Sequence, residues 1–552
     1  KILPEEKNPV ARFIRWLYIP VLKTALRFRW ATIGLAVALV ILVYPVYNKI
    51  GSEFMPPLDE GSLLFMPTML PNVTITEAKR VVQIQDKIIK AHPEVEYVLG
   101  KIGRAETATD PAPVNMIETI VLLKPRNQWR AGITKADIIK ELDDKLKFPG
   151  VANGWTQPII NRINMLSTGV RTDLGVKIFG KDLKVLGELA SNAEKILQTV
   201  PGAVDLYAER IISGKYIDIY INRQKAARYG VSVMEIQEVI ESAVGGMNIT
   251  TTVEGRERFP VRVRYARVYR SSTEIIQRTF VNSPNGPIPL TQLTDIKLSD
   301  AASMINSEQG FLRSVVFLNV RGRDIGSFVE EAKITLSKNL KLPSGYYVTW
   351  SGQYENQIRA KKKLQIVIPI VLLLTFMFLY FTFYSITDSL VVILSIPFSL
   401  VGGIIMVYFL KYNFSVAVWV GFIALIGVAT ETGVLMLSRL NDTLNEKLDK
   451  LGKITKKDLF ESVFDGVSLV RAIAMTALIN MVGLMPIMLS SGTGSDIMKP
   501  LAAPLVGGVI SSTILVLIVI PVIFSIIREH SLKAEGRFVS DENIIEKEES
   551  KV

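Results

Sequence analysis

The chain has 552 residues, 49% of them hydrophobic, a positive mean hydropathy of +0.30 and a net charge of +12. That is too much chain and too much apolar content for one soluble domain, so membrane segments are expected. Cysteine is absent and only two histidines occur, His92 and His530, which excludes disulfides, thiolate metal centres, a zinc cluster and any His-based triad. No Gly-rich phosphate loop followed by Lys and Ser or Thr is present, which disfavours ATP-driven work. The basic excess follows membrane topology, so no nucleic-acid partner is expected.

In chain order, residues 1–30 lack a secretory pattern and contain the basic, aromatic run "ARFIRWLYIPVLKTALRFRW" (11–30), which reads as a cytoplasmic, interfacial helix. A start at Lys rather than Met suggests a piece of a longer protein. Windows of about 19 residues give six spans, 31–47, 364–384, 390–410, 414–437, 472–489 and 502–527. The first occupies 31–50 with its flank and is the weakest, being short and carrying Pro45. Basic residues before it (Arg12, Arg15, Lys23, Arg27, Arg29) and between the fourth and fifth spans (Lys447, Lys450, Lys453, Lys456, Lys457) place both termini in the cytoplasm. The 300-odd residues after the first span then face outward.

That outer region alternates strands and helices. "SLLFMPTML" reads as a strand, Thr74 and Glu77 as a capping box opening a helix to about Ala91, "VEYVLGKIG" and the segment ending "TIVLLKP" as strands, and 135–146 as a helix. The unit recurs as strand "LGVKIFG", helix "LKVLGELASNAEKILQTV", strands "AVDLYAE" and "YIDIYIN" and helix "SVMEIQEVIESAV". The repetition predicts split βαβ modules of ferredoxin-like type, a fold that says nothing of function by itself.

Four stretches, "INRQKAARYGV" (221–231), "SIPFSLVGGI" (395–404), "GFIALIGVATETGVLML" (421–437) and "MTALINMVGLMPIMLSSGTGSDIMKPLAAPLVGGVISS" (475–512), resemble the resistance-nodulation-division (RND) transporters, proton-driven pumps of the Gram-negative inner membrane. "GSEFMPPLDEGSLLFMP" (51–67) and "GRAETATDPAPVNMIET" (103–119) resemble the heavy-metal efflux branch, on its copper- and silver-exporting side. Family members hold two repeats, each with one helix, a large periplasmic insert and five more helices. This chain resembles the second repeat alone.

The resemblance implies a polytopic α-helical membrane protein with a large α+β periplasmic domain, ferredoxin-like porter subdomains, a docking insert and six transmembrane helices. Its divisions fall at 51–217 (porter), 218–300 (docking insert), 301–360 (rest of the porter), 361–530 (five transmembrane helices) and 531–552 (charged cytoplasmic tail). It also implies a homotrimer working with a first-repeat half, a periplasmic adaptor protein, an outer-membrane channel and membrane lipids. No permanent cofactor and no enzymatic activity are implied; the cargo is Cu(I) or Ag(I).

In copper and silver members three cleft methionines hold the metal, and the matching positions here are Met66, Met116 and Met165. Taken alone, methionines near apolar strands are gap-fillers of a core. Placed together they are neutral, soft thioether donors suited to Cu(I) and Ag(I). Matched cleft-lining positions are Glu60, Asp110, Glu118, Arg162 and Arg171, the last replacing a Lys. Met498 matches a position on a proposed metal path and Met247 lies one residue off another, while Met406, Met436, Met475, Met485 and Met488 read as helix packing.

Glu431 sits inside an apolar helix, where a charge costs at least about 2.5–3.5 kcal/mol, so it marks a functional site by default. The resemblance implies a proton-relay carboxylate. The local reading is a Glu bonded to Thr430 or Thr432. Copper members carry a Lys in the following helix where this chain has Ile473, leaving Thr476 as the candidate relay partner. Divalent-metal or organic-compound efflux is the second transporter reading, and a protein-translocation accessory or receptor of the same membrane fold is the alternative of another class.

Overall fold

The computed structural model describes residues 9–56, 58–103, 112–302, 304–466, 470–490, 492 and 494–539. The chain opens with helices α1 (Pro9–Arg27) and α2 (Arg29–Leu42), the second extended by the turn Tyr44–Tyr47 around Pro45 into a first span, Arg29–Tyr47. Helix α1 packs on the bundle through one side. Its stripe Tyr18, Leu22, Ala25 and Leu26 is buried, and the Tyr18 hydroxyl donates to the Leu517 carbonyl. Arg29 meets Glu529 on the same partner helix. These two contacts set α1 and the start of α2 against the last helix, which covers the apolar face of α1.

A first lobe follows, built from β1 (Ser62–Phe65), α3 (Ile75–Lys90), β2 (Val95–Ile102), β3 (Ile117–Leu123), α4 (Lys135–Lys145) and β4 (Trp155–Thr156). Its antiparallel sheet has the order β2-β3-β1-β4, with α3 and α4 packing Ile89, Ile138 and Leu142 onto Leu63, Phe65 and Val121. The Thr74 hydroxyl caps α3 by accepting from Glu77 N at 3.3 Å. The Glu77 carboxylate grips Arg80 instead of turning back, so the expected box is half formed. Helix α5 (Pro158–Thr168) links to a second lobe.

The second lobe repeats the scheme with β5 (Leu174–Gly180), α6 (Leu183–Leu197) and β6 (Ala203–Ala208). There the chain departs along β7 (Ile212–Ile221) into an insert that carries the hairpin β8 (Met247–Glu254) and β9 (Glu257–Val263). It has its own small core of Ala226, Val231, Ile236, Val281, Leu290 and Leu293. Strand β10 (Thr294–Ala302) returns antiparallel to β7. The lobe closes with β11 (Phe311–Val320), α7 (Ile325–Asn339) and β12 (Tyr347–Gly352) in the order β6-β11-β5-β12, the same arrangement as in the first lobe. The split βαβ module is therefore present twice, but the second is completed by β11, α7 and β12, whereas "YIDIYIN" and "SVMEIQEVIESAV", read as part of it, lead into and belong to the insert.

Five further spans complete the chain: α8 (Gln353–Phe383), α9 (Ile386–Phe409, interrupted at Leu394), α10 (Val416–Leu451), α11 with α12 (Lys456–Gly466 and Val470–Leu489), and α13 (Ser495–Ala534). With the first span they make the six that hydropathy predicts. Small residues let α9 and α13 touch backbone to backbone, since a Cβ on Gly402 would lie 2.1 Å from the Gly507 carbonyl oxygen.

Helix α8 starts earlier than hydropathy suggests, directly at the end of β12, and its 31 residues extend about 46 Å. Gly352 makes this strand-to-helix corner at φ 86° and ψ −146°, a region essentially reserved for glycine, with the Asp173 carbonyl oxygen 2.5 Å from where a Cβ would sit. Gly352→Ala should therefore cost about 1–3 kcal/mol for the backbone region and a comparable amount for the clash. Thermal unfolding checks this against Gly255→Ala, which has φ +63° but open space around it and should lose less.

Candidate metal cleft and intramembrane carboxylate

Between the two lobes lies a cavity of about 730 Å³ whose lining includes Met69, Met116, Met165, Arg171, Tyr207, Glu209, Met304 and Arg313. The wall from the first lobe exists because the chain breaks after β1. Pro67 follows Met66, Met66 N donates to the Gly154 carbonyl at 2.8 Å, and Ile117 N reaches the Pro67 carbonyl at 3.1 Å. This folds the segments of Met66 and Met116 together, and both side chains are buried in one cluster with Leu64 and Ala112, 5% and 2% exposed. Met116 also faces the cavity; Met66 packs behind it and is not among the lining residues.

Met165 arrives from α5. That helix is anchored by Glu60, whose carboxylate accepts from Ile159 N at 2.7 Å and Ile160 N at 2.9 Å, while Glu60 N donates to Gln157 Oε1 at 3.0 Å. A carboxylate at a helix N-terminus satisfies two orphan donors and complements the dipole. Glu60 thus holds the Met165 helix in place rather than facing the cavity. Asn161 Nδ2 lies 3.6 Å from the Met165 sulfur, and Asn161 Oδ1 and Asn164 Nδ2 are buried without a hydrogen-bond partner among the described residues.

The second lobe supplies an aromatic and cationic wall. Tyr207 and Phe317 stack at 5.0 Å, and Arg171 lies over Phe317 at 4.9 Å while its Nε donates to the Tyr207 hydroxyl at 3.1 Å. Glu209 behind them accepts from Asn306 Nδ2 at 2.8 Å and Val315 N at 3.0 Å. Burial pushes its carboxyl above the usual carboxylate range, with Arg313 pulling the other way.

The remaining expected residues are dispersed. Glu118 forms a cross-strand ion pair with Lys101 at 2.6 Å on the first sheet. Arg162 is exposed on α5, and Asp110 lies outside the described residues. Met498 and Met247 are exposed, at the start of α13 and the base of the hairpin. Met69 and Met304 were not singled out by sequence reading; Met69 lies only three residues beyond Met66, across the Pro67 break that alternation along a strand does not foresee.

In the membrane, Glu431 lies on an exposed stripe of α10 with Val420, Ala424, Gly427 and Leu435. No hydrogen bond or ion pair among the described residues reaches its carboxylate. Thr430 and Thr432 bond back to carbonyls of their own helix, and so does Thr476, to Ala472 at 3.0 Å. The local reading of a Glu held by its flanking threonines is therefore not what is observed. Ile473 is buried in an apolar cluster with Met436, Leu440 and Val470. An unanticipated polar cluster joins three helices: Arg528 contacts both Asp388 oxygens at 2.7 and 2.9 Å and Asn441 Oδ1 at 2.8 Å.

The AcrB/AcrD/AcrF family profile matches residues 3–528, nearly the whole chain. The chain belongs to this family, the RND transporters. Within it, the cation efflux system protein CusA of Escherichia coli K12 is 40% identical over 534 residues, which is 96% of this chain and 51% of CusA. The cobalt-zinc-cadmium resistance protein CzcA of Cupriavidus metallidurans is 34% identical over 545 residues, 96% of this chain and 50% of that one. A crystal structure of a heavy metal efflux pump matches with a TM-score of 0.84 at 30% identity, covering 94% of this chain and 53% of the other. This RND chain therefore spans about half the length of the relatives it matches.

Removing the Glu60 carboxylate tests its positioning role. Glu60→Ala should cost about 1 kcal/mol of helix-end stability and speed hydrogen exchange at the Ile159 and Ile160 amides about fivefold, leaving the β3 amides unchanged.

Proposed function

We propose that this chain is one repeat, the second, of a proton-driven heavy-metal exporter whose cargo is Cu(I) or Ag(I), bound by Met66, Met116 and Met165. The observation that carries this reading is the meeting of Met116 and Met165 on one interlobe cavity, with the Met66 side chain packed against the same cluster as Met116. Thioethers are soft and need no deprotonation, so they suit a monovalent soft ion and its release. Among the described residues no group of three or more His, Cys, Asp or Glu is placed to hold a metal ion. The CusA likeness points the same way. Glu431 serves as the proton carrier, with Thr476 as a candidate partner on the next span. The pump works in the inner membrane as a trimer beside a first-repeat half, with the lobes in the periplasm, both termini in the cytoplasm and the insert at residues 218–300 docking toward an outer-membrane channel through an adaptor. Met498 and Met247 are candidate stations on the metal path.

Titration of the purified chain with Ag(I), Cu(I) and Zn(II) tests the assignment. The wild type should take the two monovalent ions in preference to Zn(II). Leu in place of Met66, Met116 and Met165 together, a change that nearly conserves volume, should weaken Ag(I) binding by at least about tenfold, ~1.4 kcal/mol, with the fold retained. Unchanged Ag(I) affinity in the triple variant, or a preference for Zn(II), refutes the site and favours the divalent-metal reading that the CzcA likeness represents.

A further inference from the structure

The end of the bundle opposite the lobes carries a second cleft, of about 400 Å³, lined by Arg27, Arg29, Trp30, Lys456, Ile526, Glu529, His530 and Lys533. Three spans meet there: α2 begins at Arg29, α11 begins at Lys456, and α13 ends at Ala534. The lobe end is fixed by other contacts, such as Glu53 N to the Phe414 carbonyl at 3.0 Å and Asp59 N to Asp496 at 3.2 Å. The cleft therefore sits at the level where helices leave the hydrocarbon on the far side of the membrane.

Its charges do not balance. Arg29 and Lys533 share the one lining carboxylate, Glu529, at 2.6 and 2.7 Å. No carboxylate among the described residues pairs with Arg27 or Lys456; their only described side-chain contacts are with rings, Arg27 over Phe28 at 5.6 Å and Lys456 over Phe460 at 6.0 Å. Among the described residues two cations thus remain for a ligand, beside the exposed indole of Trp30, a side chain suited to the headgroup level. From this cleft an exposed apolar stripe, Ala31, Leu35, Leu39 and Leu42, climbs one face of α2 into the hydrocarbon zone. A free phosphate would use the cations and ignore the stripe; a lipid uses both.

We propose that this cleft is a binding site for an anionic glycerophospholipid, its phosphodiester held by Arg27 and Lys456 and one acyl chain laid along α2. The proposal is independent of the metal assignment. The Arg29–Glu529 pair and the Tyr18 bond to Leu517 tie α1 and α2 to α13, so a lipid seated here fastens the N-terminal helices to the bundle at its edge.

Native mass spectrometry of the full chain in detergent, titrated with phosphatidylglycerol or phosphatidylcholine of the same acyl chains, tests this. The wild type should retain phosphatidylglycerol at least about tenfold better than phosphatidylcholine, and Arg27→Gln with Lys456→Gln should abolish that preference. Lys361→Gln with Lys362→Gln, near the lobe end, should keep it. Equal retention of the two lipids by the wild type, or an undiminished preference in the Arg27/Lys456 variant, overturns the proposal. Displacement of the lipid by equimolar glycerol phosphate also overturns it, assigning the cleft to a soluble phosphate.

Discussion

Asn319 is the side chain on which the outer half of the molecule converges. Its Oδ1 accepts from Asp173 N at 2.9 Å, and its Nδ2 donates to the Trp155 carbonyl at 3.0 Å and to Asp205 at 2.7 Å. Arg321 also reaches Asp205 at 2.8 Å, and Gln353, the first residue of α8, donates to Asp173 Oδ1 at 2.7 Å. One buried network therefore joins the last strand of the first lobe, the start of β5, the middle of β6 and the end of β11 in the second lobe, and the head of a membrane helix. Burial, with the neighbouring Asp205, pushes the Asp173 carboxyl up to about 6. A half-satisfied network at this depth would be costly, so the lobes are held in register with each other and with α8. The interlobe cavity is the space left between lobes so fixed.

The membrane half shows a different economy. Helices α9, α10 and α13 pack through glycines and bury about half of their apolar windows, while α8 and the α11–α12 span bury almost none. The face of α10 that carries Glu431 belongs to the unburied surface. An acid placed there finds no partner among the described residues, and a complementary set of helices across that face is what the proposed function supplies. The thioethers and the membrane acid are separate in chemistry and in place, soft donors between the lobes and a hard carboxylate on α10, with α8 the continuous element running from the lobes into the membrane.

Much of this was legible in the sequence. Six apolar windows gave six spans, and period-two and period-3.6 patterns gave the first split βαβ lobe and the opening half of the second, because burial on one face dictates those periods; the second half was sought in the insert, which interrupts the lobe between β6 and β11. What hydropathy missed was the charged first turns of α8, where a helix continues out of the membrane with no change in geometry. Among site residues, resemblance alone singled out Met116 and Met165, which the fold brings to one cavity, and Met66, which it packs beside Met116. The resemblance misjudged Glu60, whose value lies in two backbone donors nearly a hundred residues away, a relation that no local pattern encodes. The Asp388–Arg528–Asn441 cluster escaped for the same reason, its members being far apart along the chain. For α1, the basic and aromatic composition suggested an interface, and did not reveal that the apolar stripe from Tyr18 to Leu26 packs on the bundle.

Separation of proton carrier from metal ligand is most directly tested by Glu431→Gln, which keeps shape and hydrogen-bonding capacity and removes the titratable proton. The measurement is Ag(I)-coupled proton flux in vesicles holding the chain together with a first-repeat half, alongside Ag(I) affinity of the same preparation. The account predicts that the variant loses coupled flux while Ag(I) affinity stays within about twofold of wild type. Normal flux in Glu431→Gln, or a collapse of Ag(I) affinity in a correctly folded variant, would contradict it.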